Sequence, residues 1–127
     1  MTYKFKIGQI LNFDRIIKNI IENEKDVNIV FKFKLLGIRK AFGTVVANTD
    51  VIRNDLIVKY GKEDENKKYS IDQKDEENFK RFVDEMNKFL ETEIDIDFTK
   101  ITMSEAFSGG LNNSDYLVGL YDIIETE

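Results

Sequence analysis

Apolar residues return every third or fourth position through most of this chain, and every second position in a few short stretches. The longest recurrence is Phe31, Leu35, Ile38, Phe42, Val45, Thr49, Ile52 and Leu56, at spacings of 4, 3, 4, 3, 4, 3 and 4. That averages about 3.6 residues per step, the period of an α-helix. The pattern predicts one helix from about residue 29 to 60, roughly 45 Å long at about 1.5 Å per residue. Its seam is apolar except for Thr49. Each seam residue, fully buried, contributes about 1.5–3 kcal/mol. A lone helix cannot hide such a seam, so a neighbouring helix or a second copy of the chain must run beside it.

Two features pull against that helix. VNIVFKFK, residues 27 to 34, also alternates as a strand does. Gly37 and Gly43 each cost about 1 kcal/mol relative to Ala inside a helix. Gly37, Ala41, Thr44 and Asn48 form a row of small side chains where another backbone can approach; a kink is the competing account.

Shorter elements flank the long one. YKFKI, residues 3 to 7, alternates and reads as a strand. Asn12 is placed to cap a helix carrying Phe13, Ile16, Ile17, Ile20 and Ile21, with Asp14 in its first turn where the helix dipole favours an acid. Gly61 closes the long helix. KEDENKK is a charged loop, and Tyr69 and Ile71 suggest a short strand. Asp75 caps a helix over residues 76 to 91, with the stripe Phe79, Phe82, Met86, Phe89 and Leu90. EIDIDF, 93 to 98, alternates again, and ITM, 101 to 103, follows. SGG, 108 to 110, is a turn. Asn113 or Ser114 caps a final helix with Leu117, Leu120, Tyr121 and Ile124 on one side. The fold class is therefore α+β: mostly helical, one long central helix packed against two or three shorter helices, with a small antiparallel sheet, in a single domain spanning residues 1–127.

Composition narrows the chemistry. The chain has 127 residues, 42% hydrophobic, with no His, Cys, Trp or Pro. A zinc site of the usual Cys and His kind has no ligands here. Triads that shuttle a proton through His are excluded as well. No cofactor or metal is expected. No stretch approaches the roughly 18 apolar residues of a membrane span, and MTYKFKIGQ lacks the apolar core of a signal peptide, so the expected location is intracellular. Residues 1–61 hold 11 Lys and Arg against 6 Asp and Glu, and residues 62–127 hold 8 against 18. The two halves either neutralise each other on packing, or leave an acidic face for a basic partner. A sequence pI near 4.9 disfavours direct nucleic-acid binding.

The candidate binding residues are acidic. Glu93, Asp95 and Asp97 occupy alternate positions of a strand, so their side chains share a face at about 6.6–7 Å spacing. Metal ligands sit within about 2.0–2.6 Å of the ion, so the three cannot grip one ion unaided. They also suit the wet face of a half-buried strand. Glu63, Asp64 and Glu65 lie in the charged loop, which lacks the spacing and the glycine of a calcium loop. Ser108, Gly109 and Gly110 lack the lysine of a phosphate loop. Lys4, Lys6, Lys32 and Lys34, interleaved with Phe5, Phe31 and Phe33, have the pattern of a basic-aromatic patch for single strands, but alternation around a core gives the same pattern.

KFKIGQI at the start, LIVKYG closing the long helix, FLETE, IDIDFTKI and a final SDYL follow one another in a familiar order. On these marks, spread over nearly the whole chain, it resembles a family of small phage and prophage proteins of unknown function from Gram-positive hosts. Members usually carry a proline before the long helix, where this chain has Asn28. The resemblance implies a phage origin and a place in the host cytoplasm or the virion, and it carries over no catalytic or binding residues. Together these readings lead to an expectation of a non-enzymatic phage accessory protein. It would bind a host or phage protein through Glu63, Asp64, Glu65, Glu93, Asp95 and Asp97, its sharpest form being inhibition of a host defence or nucleic-acid enzyme. The alternative is a virion or tail-assembly component. A homodimer through the long helix is a further expectation.

Overall fold

The computed structural model describes residues 1–125. The long amphipathic repeat is a single helix. With β1 (Thr2–Lys6) and α1 (Ile7–Asn23) before it, α2 runs without interruption over Ile29–Tyr60. Asn28 caps its start, its side chain accepting from the Phe31 N–H at 2.9 Å. That bond draws residues 29–34 into the helix in spite of their alternation. At the other end Gly61 donates its N–H to the Ile57 carbonyl at 2.7 Å. A Cβ at Gly61 would stand 2.6 Å from the Ser70 carbonyl oxygen, so only glycine lets the chain turn this tightly there.

The inner seam is buried within the chain. Phe31, Leu35, Ile38, Phe42 and Thr49 are all buried, while Val45, Ile52 and Leu56 are half-buried. α1 covers the first half, with Phe13 against Phe42 and Arg39 Nε donating to Asp14 Oδ1 at 3.1 Å. α3 (Glu76–Leu90) lies along the second half, joined by the Lys59–Glu85 ion pair at 3.5 Å. Between them come β2 (Lys62–Glu63) and β3 (Tyr69–Ser70), an antiparallel hairpin.

After α3, β4 (Glu93–Asp97) returns to pair antiparallel with β1: Thr2 opposite Asp97, Lys4 opposite Asp95, Lys6 opposite Glu93. The inward side chains meet in an aromatic cluster. Phe98 stacks edge-on against Phe42 at 5.2 Å, and Phe5 against Phe13 at 5.3 Å. Each such pair adds about 0.5–1.5 kcal/mol beyond area burial. The cluster fastens both ends of the chain's longest connection to the middle of α2.

The remaining elements are β5 (Ile101–Thr102), α4 (Met103–Ser108), α5 (Ser114–Gly119), a 3-10 turn at Tyr121–Ile123 and β6 (Ile124–Glu125). β5 and β6 pair in parallel, so the small sheets are two antiparallel ladders and one parallel ladder.

Several boundaries differ from the sequence expectation. α1 begins at Ile7 rather than after Asn12, because the Lys6 N–H is held by Gln9 Oε1 at 2.9 Å. Asn12 accepts from Arg15 instead, and Asp14 lies in the helix interior facing Arg39. The final helix stops at Gly119. Ile124 belongs to a strand, and Tyr121 is exposed rather than on a buried side. The helix α4, unexpected from the apolar pattern, is closed at its start by a reciprocal pair. Glu105 N–H donates to Thr102 Oγ1 at 3.1 Å, and Thr102 N–H to Glu105 Oε1 at 3.3 Å.

Candidate functional site

The acidic strand has the geometry its alternation requires. Glu93, Asp95 and Asp97 are exposed, while Ile96 is buried and Ile94 half-buried behind them. What faces them across the ladder is basic. Glu93 lies opposite Lys6 and Asp95 opposite Lys4. Asp97 Oδ1 accepts from the Met1 amino group at 3.0 Å. Lys6 Nζ lies 2.6 Å from Glu91 Oε2, and that hydrogen bond, reinforced by the carboxylate's charge, holds the Lys6 ammonium above its usual pKa. The stripe therefore has cations opposite it on β1 and at the amino terminus, although of the three acids only Asp97 closes an ion pair among the described residues.

The second acidic stretch lies elsewhere. Asp64 Oδ1 accepts from the N–H groups of Asn66 and Lys68 at 2.8 and 2.9 Å, and so folds the hairpin loop. Glu63 Oε2 is 3.5 Å from the Tyr69 hydroxyl. Glu65 makes no hydrogen bond or ion pair among the described residues and points its charge to solvent. Beside the loop is a hollow of about 260 Å³ lined by Tyr60, Gly61, Lys62, Glu63, Asp64, Ser70, Asp72 and Asp75. Two of its acids are engaged in local hydrogen bonds. Asp72 accepts from the Lys74 N–H at 2.9 Å, and Asp75 from the Asn78 side-chain amide at 3.0 Å. No group of three or more acidic side chains among the described residues has the geometry to hold a metal ion.

At the base of the hairpin, Glu85 sits beside Tyr60 and Lys59. The Tyr60 hydroxyl, more than the Lys59 charge, draws the Glu85 carboxyl below its ordinary value, against the opposing pull of partial burial. Glu85 Oε1 accepts from Lys59 Nζ at 3.5 Å, and Glu85 Oε2 is buried without a hydrogen-bond partner among the described residues.

The two acidic stretches do not converge. β4 flanks the first half of α2 through Phe98 and Phe42, whereas the hairpin emerges past Tyr60. The 19 residues from Phe42 to Gly61 span about 28 Å of helix. The two stretches also belong to separate sheets. Glu63, Asp64 and Glu65 thus form one surface, and Glu93, Asp95 and Asp97 another.

The other candidates are taken up by packing. The carbonyl of Gly109 accepts from the Asn28 N–H at 2.8 Å, so the SGG turn is a support for the start of α2. Phe5 and Phe31 are buried and Phe33 exposed, while Lys34 is paired with Glu105 and Lys6 with Glu91. The basic-aromatic pattern therefore does not gather on one face. No helix among the described residues is long and apolar enough to cross a membrane. Comparison with family models, curated proteins and solved structures finds no match to this chain.

Proposed function

We propose that this chain is a non-enzymatic phage accessory protein that binds a host or phage protein, with the hairpin loop as its acidic contact. Inhibition of a host defence or nucleic-acid enzyme is the sharpest form of this reading. The phage origin rests on the sequence resemblance. The observation that carries the choice of surface is the contrast between the two acidic stretches. Asp97 pairs with the amino terminus, and Glu93 and Asp95 stand opposite Lys6 and Lys4 in the ladder, whereas Glu63 stands opposite Tyr69 and Glu65 makes no ion pair among the described residues. Carboxylates without ion pairs at a turn raise encounter rates with a basic surface, although Lys62, Lys67 and Lys68 of the same loop balance their formal charge.

The test is capture from host lysate at low salt. A tagged chain is expected to retain a partner that a Glu63→Lys, Glu65→Lys variant loses, with the interaction weakening as salt rises. Asp64 is left in place because its carboxylate builds the loop. Recovery of no partner, or equal recovery by the reversed variant, defeats the hairpin reading. The location expected on this reading is the host cytoplasm. The alternative is a virion or tail-assembly component, and mass spectrometry of purified virions decides between them.

A further inference from the structure

The face of α2 turned away from the core repeats the heptad spacing of the face turned toward it. Phe33, Gly37, Lys40, Thr44, Ala47, Val51, Asn54 and Val58 follow at spacings of 4, 3, 4, 3, 4, 3 and 4, and all eight are exposed. Phe33 is 78% accessible, Val51 56% and Val58 50%, with Ile29 at 81% beside them. The row holds no acid and a single charge, Lys40. Its apolar members, Phe33, Ala47, Val51 and Val58 with Ile29 at the edge, lie uncovered, and apolar surface of this extent on a helix is the kind that a partner covers. Gly37 and Gly43 agree with this. Each costs about 1 kcal/mol relative to Ala in a helix interior. Yet no atom of the chain outside the helix lies within 4 Å of where a Cβ would stand on either.

We infer that a second copy of this chain covers the face, α2 against α2 and antiparallel. Charge selects the occupant and its direction. Residues 29–44 carry Lys32, Lys34, Arg39 and Lys40 and no acid, while residues 45–60 carry both acids of the helix, Asp50 and Asp55, against Arg53 and Lys59. Lys34 and Arg39 are answered within the chain by Glu105 and Asp14, which leaves Lys32 and Lys40; parallel pairing sets these beside their own copies. Antiparallel pairing sets them beside the half that holds Asp55, since Asp50 is already paired with Arg53. With the two-fold axis between positions 45 and 46, the row is self-complementary. Phe33 meets Val58, Gly37 meets Asn54, Lys40 meets Val51, and Thr44 meets Ala47. Neither Lys40 nor Asp55 has an ion-pair partner among the described residues. In this register the second copy's Asp55 lies one turn, about 6 Å, from the level of Lys40, within reach of a lysine side chain. The two small residues at the centre let the helices approach closely. The row runs about 38 Å along the axis, a contact at the small end of the range of specific interfaces, so the dimer is expected to be micromolar rather than nanomolar.

Sedimentation equilibrium from about 1 μM to 1 mM is expected to show a mass rising from 14.9 kDa toward twice that value. Ala47→Glu and, separately, Thr44→Glu are each expected to keep the circular dichroism of the parent and to weaken association at least about 100-fold, since each places two carboxylates in the interface. The chain has no cysteine, so direction can be read by cross-linking. A mixture of Phe33→Cys and Val58→Cys chains should form a disulfide between them, while neither alone forms one. Cross-linking of Phe33→Cys alone marks a parallel pair and overturns the inference. So does a monomer across the whole concentration range, or a dimer that both glutamate variants leave intact. A monomer whose outer face instead captures a foreign protein, lost in Ala47→Glu, overturns it equally.

Discussion

Thr49 is the one polar side chain in the inner seam of α2, 1% exposed, with its hydroxyl donating to the Val45 carbonyl at 2.8 Å. That carbonyl already accepts from the backbone one turn on, so the hydroxyl supplies its own satisfaction and little more. Thr49→Val is therefore expected to change unfolding free energy by less than about 1 kcal/mol. Phe42→Ala, by removing a ring that touches Phe13 and Phe98, should cost about 3–5 kcal/mol. Urea denaturation of both variants checks the contrast. Gly110 marks the other kind of residue-scale constraint. Its φ is +91°, and a Cβ there would stand 2.4 Å from the Asp26 carbonyl oxygen. Gly110→Ala should destabilise by more than about 1 kcal/mol, since strain and clash act together. At this scale the chain's text is ambiguous for a plain reason. Asn12 and Asn28 look equally suited to cap a helix, and only the neighbours decide. Gln9 captures the Lys6 N–H and starts α1 early, which leaves Asn12 to Arg15.

At the scale of elements, period was a strong guide and length a limiting one. α2 and α3 declare themselves over many turns, and Asp75 and Gly61 close them where the spacing puts them, while the capping role of Asn28 is seen only in the structure. α4 has six residues, too few for a periodic stripe. Its signal was present in another form. Thr102 and Glu105 are three apart, the spacing of a reciprocal cap. Glu105 then does double duty, because Lys34 of α2 pairs with it. The Lys34 hydrogen bond, followed by those from Thr102, pulls the Glu105 carboxyl below its ordinary value, although partial burial pushes the other way. A lowered folded-state pKa means that the charged form is stabilised by folding. Its contribution is fully present above the unfolded value of about 4.3 and is lost as pH falls through the folded value. Acid unfolding should therefore begin below about pH 4.3 in the parent. Glu105→Gln should reduce this component of the acid limb and cost about 1 kcal/mol at pH 7. Denaturation at pH 7 and pH 3 reads both.

Across the whole molecule, the split of charge between the halves has two fates. Four of the eight ion pairs among the described residues join a residue before position 62 to one after it: Met1 with Asp97, Lys6 with Glu91, Lys34 with Glu105 and Lys59 with Glu85. The sequence showed the imbalance, yet which acids would be answered depended on β1 crossing to β4, a pairing over about ninety residues that no local pattern encodes. That is why the two acidic stretches looked alike in the text and differ in space. The difference makes opposite demands on one kind of substitution. Asp95→Lys sets a cation directly opposite Lys4 in the ladder. Losing an attraction and gaining a repulsion should cost about 0.5–1 kcal/mol, a few degrees in Tm for a chain of this size. Glu63→Lys with Glu65→Lys changes charges at an exposed loop, and is expected to stay within about 0.5 kcal/mol of the parent. Differential scanning calorimetry at low and high salt separates the two, because the Asp95→Lys penalty shrinks as salt screens it. Equal stability losses at both places would mean that the hairpin acids, like those of β4, serve the fold, and the loop would then have no charge left over for a partner.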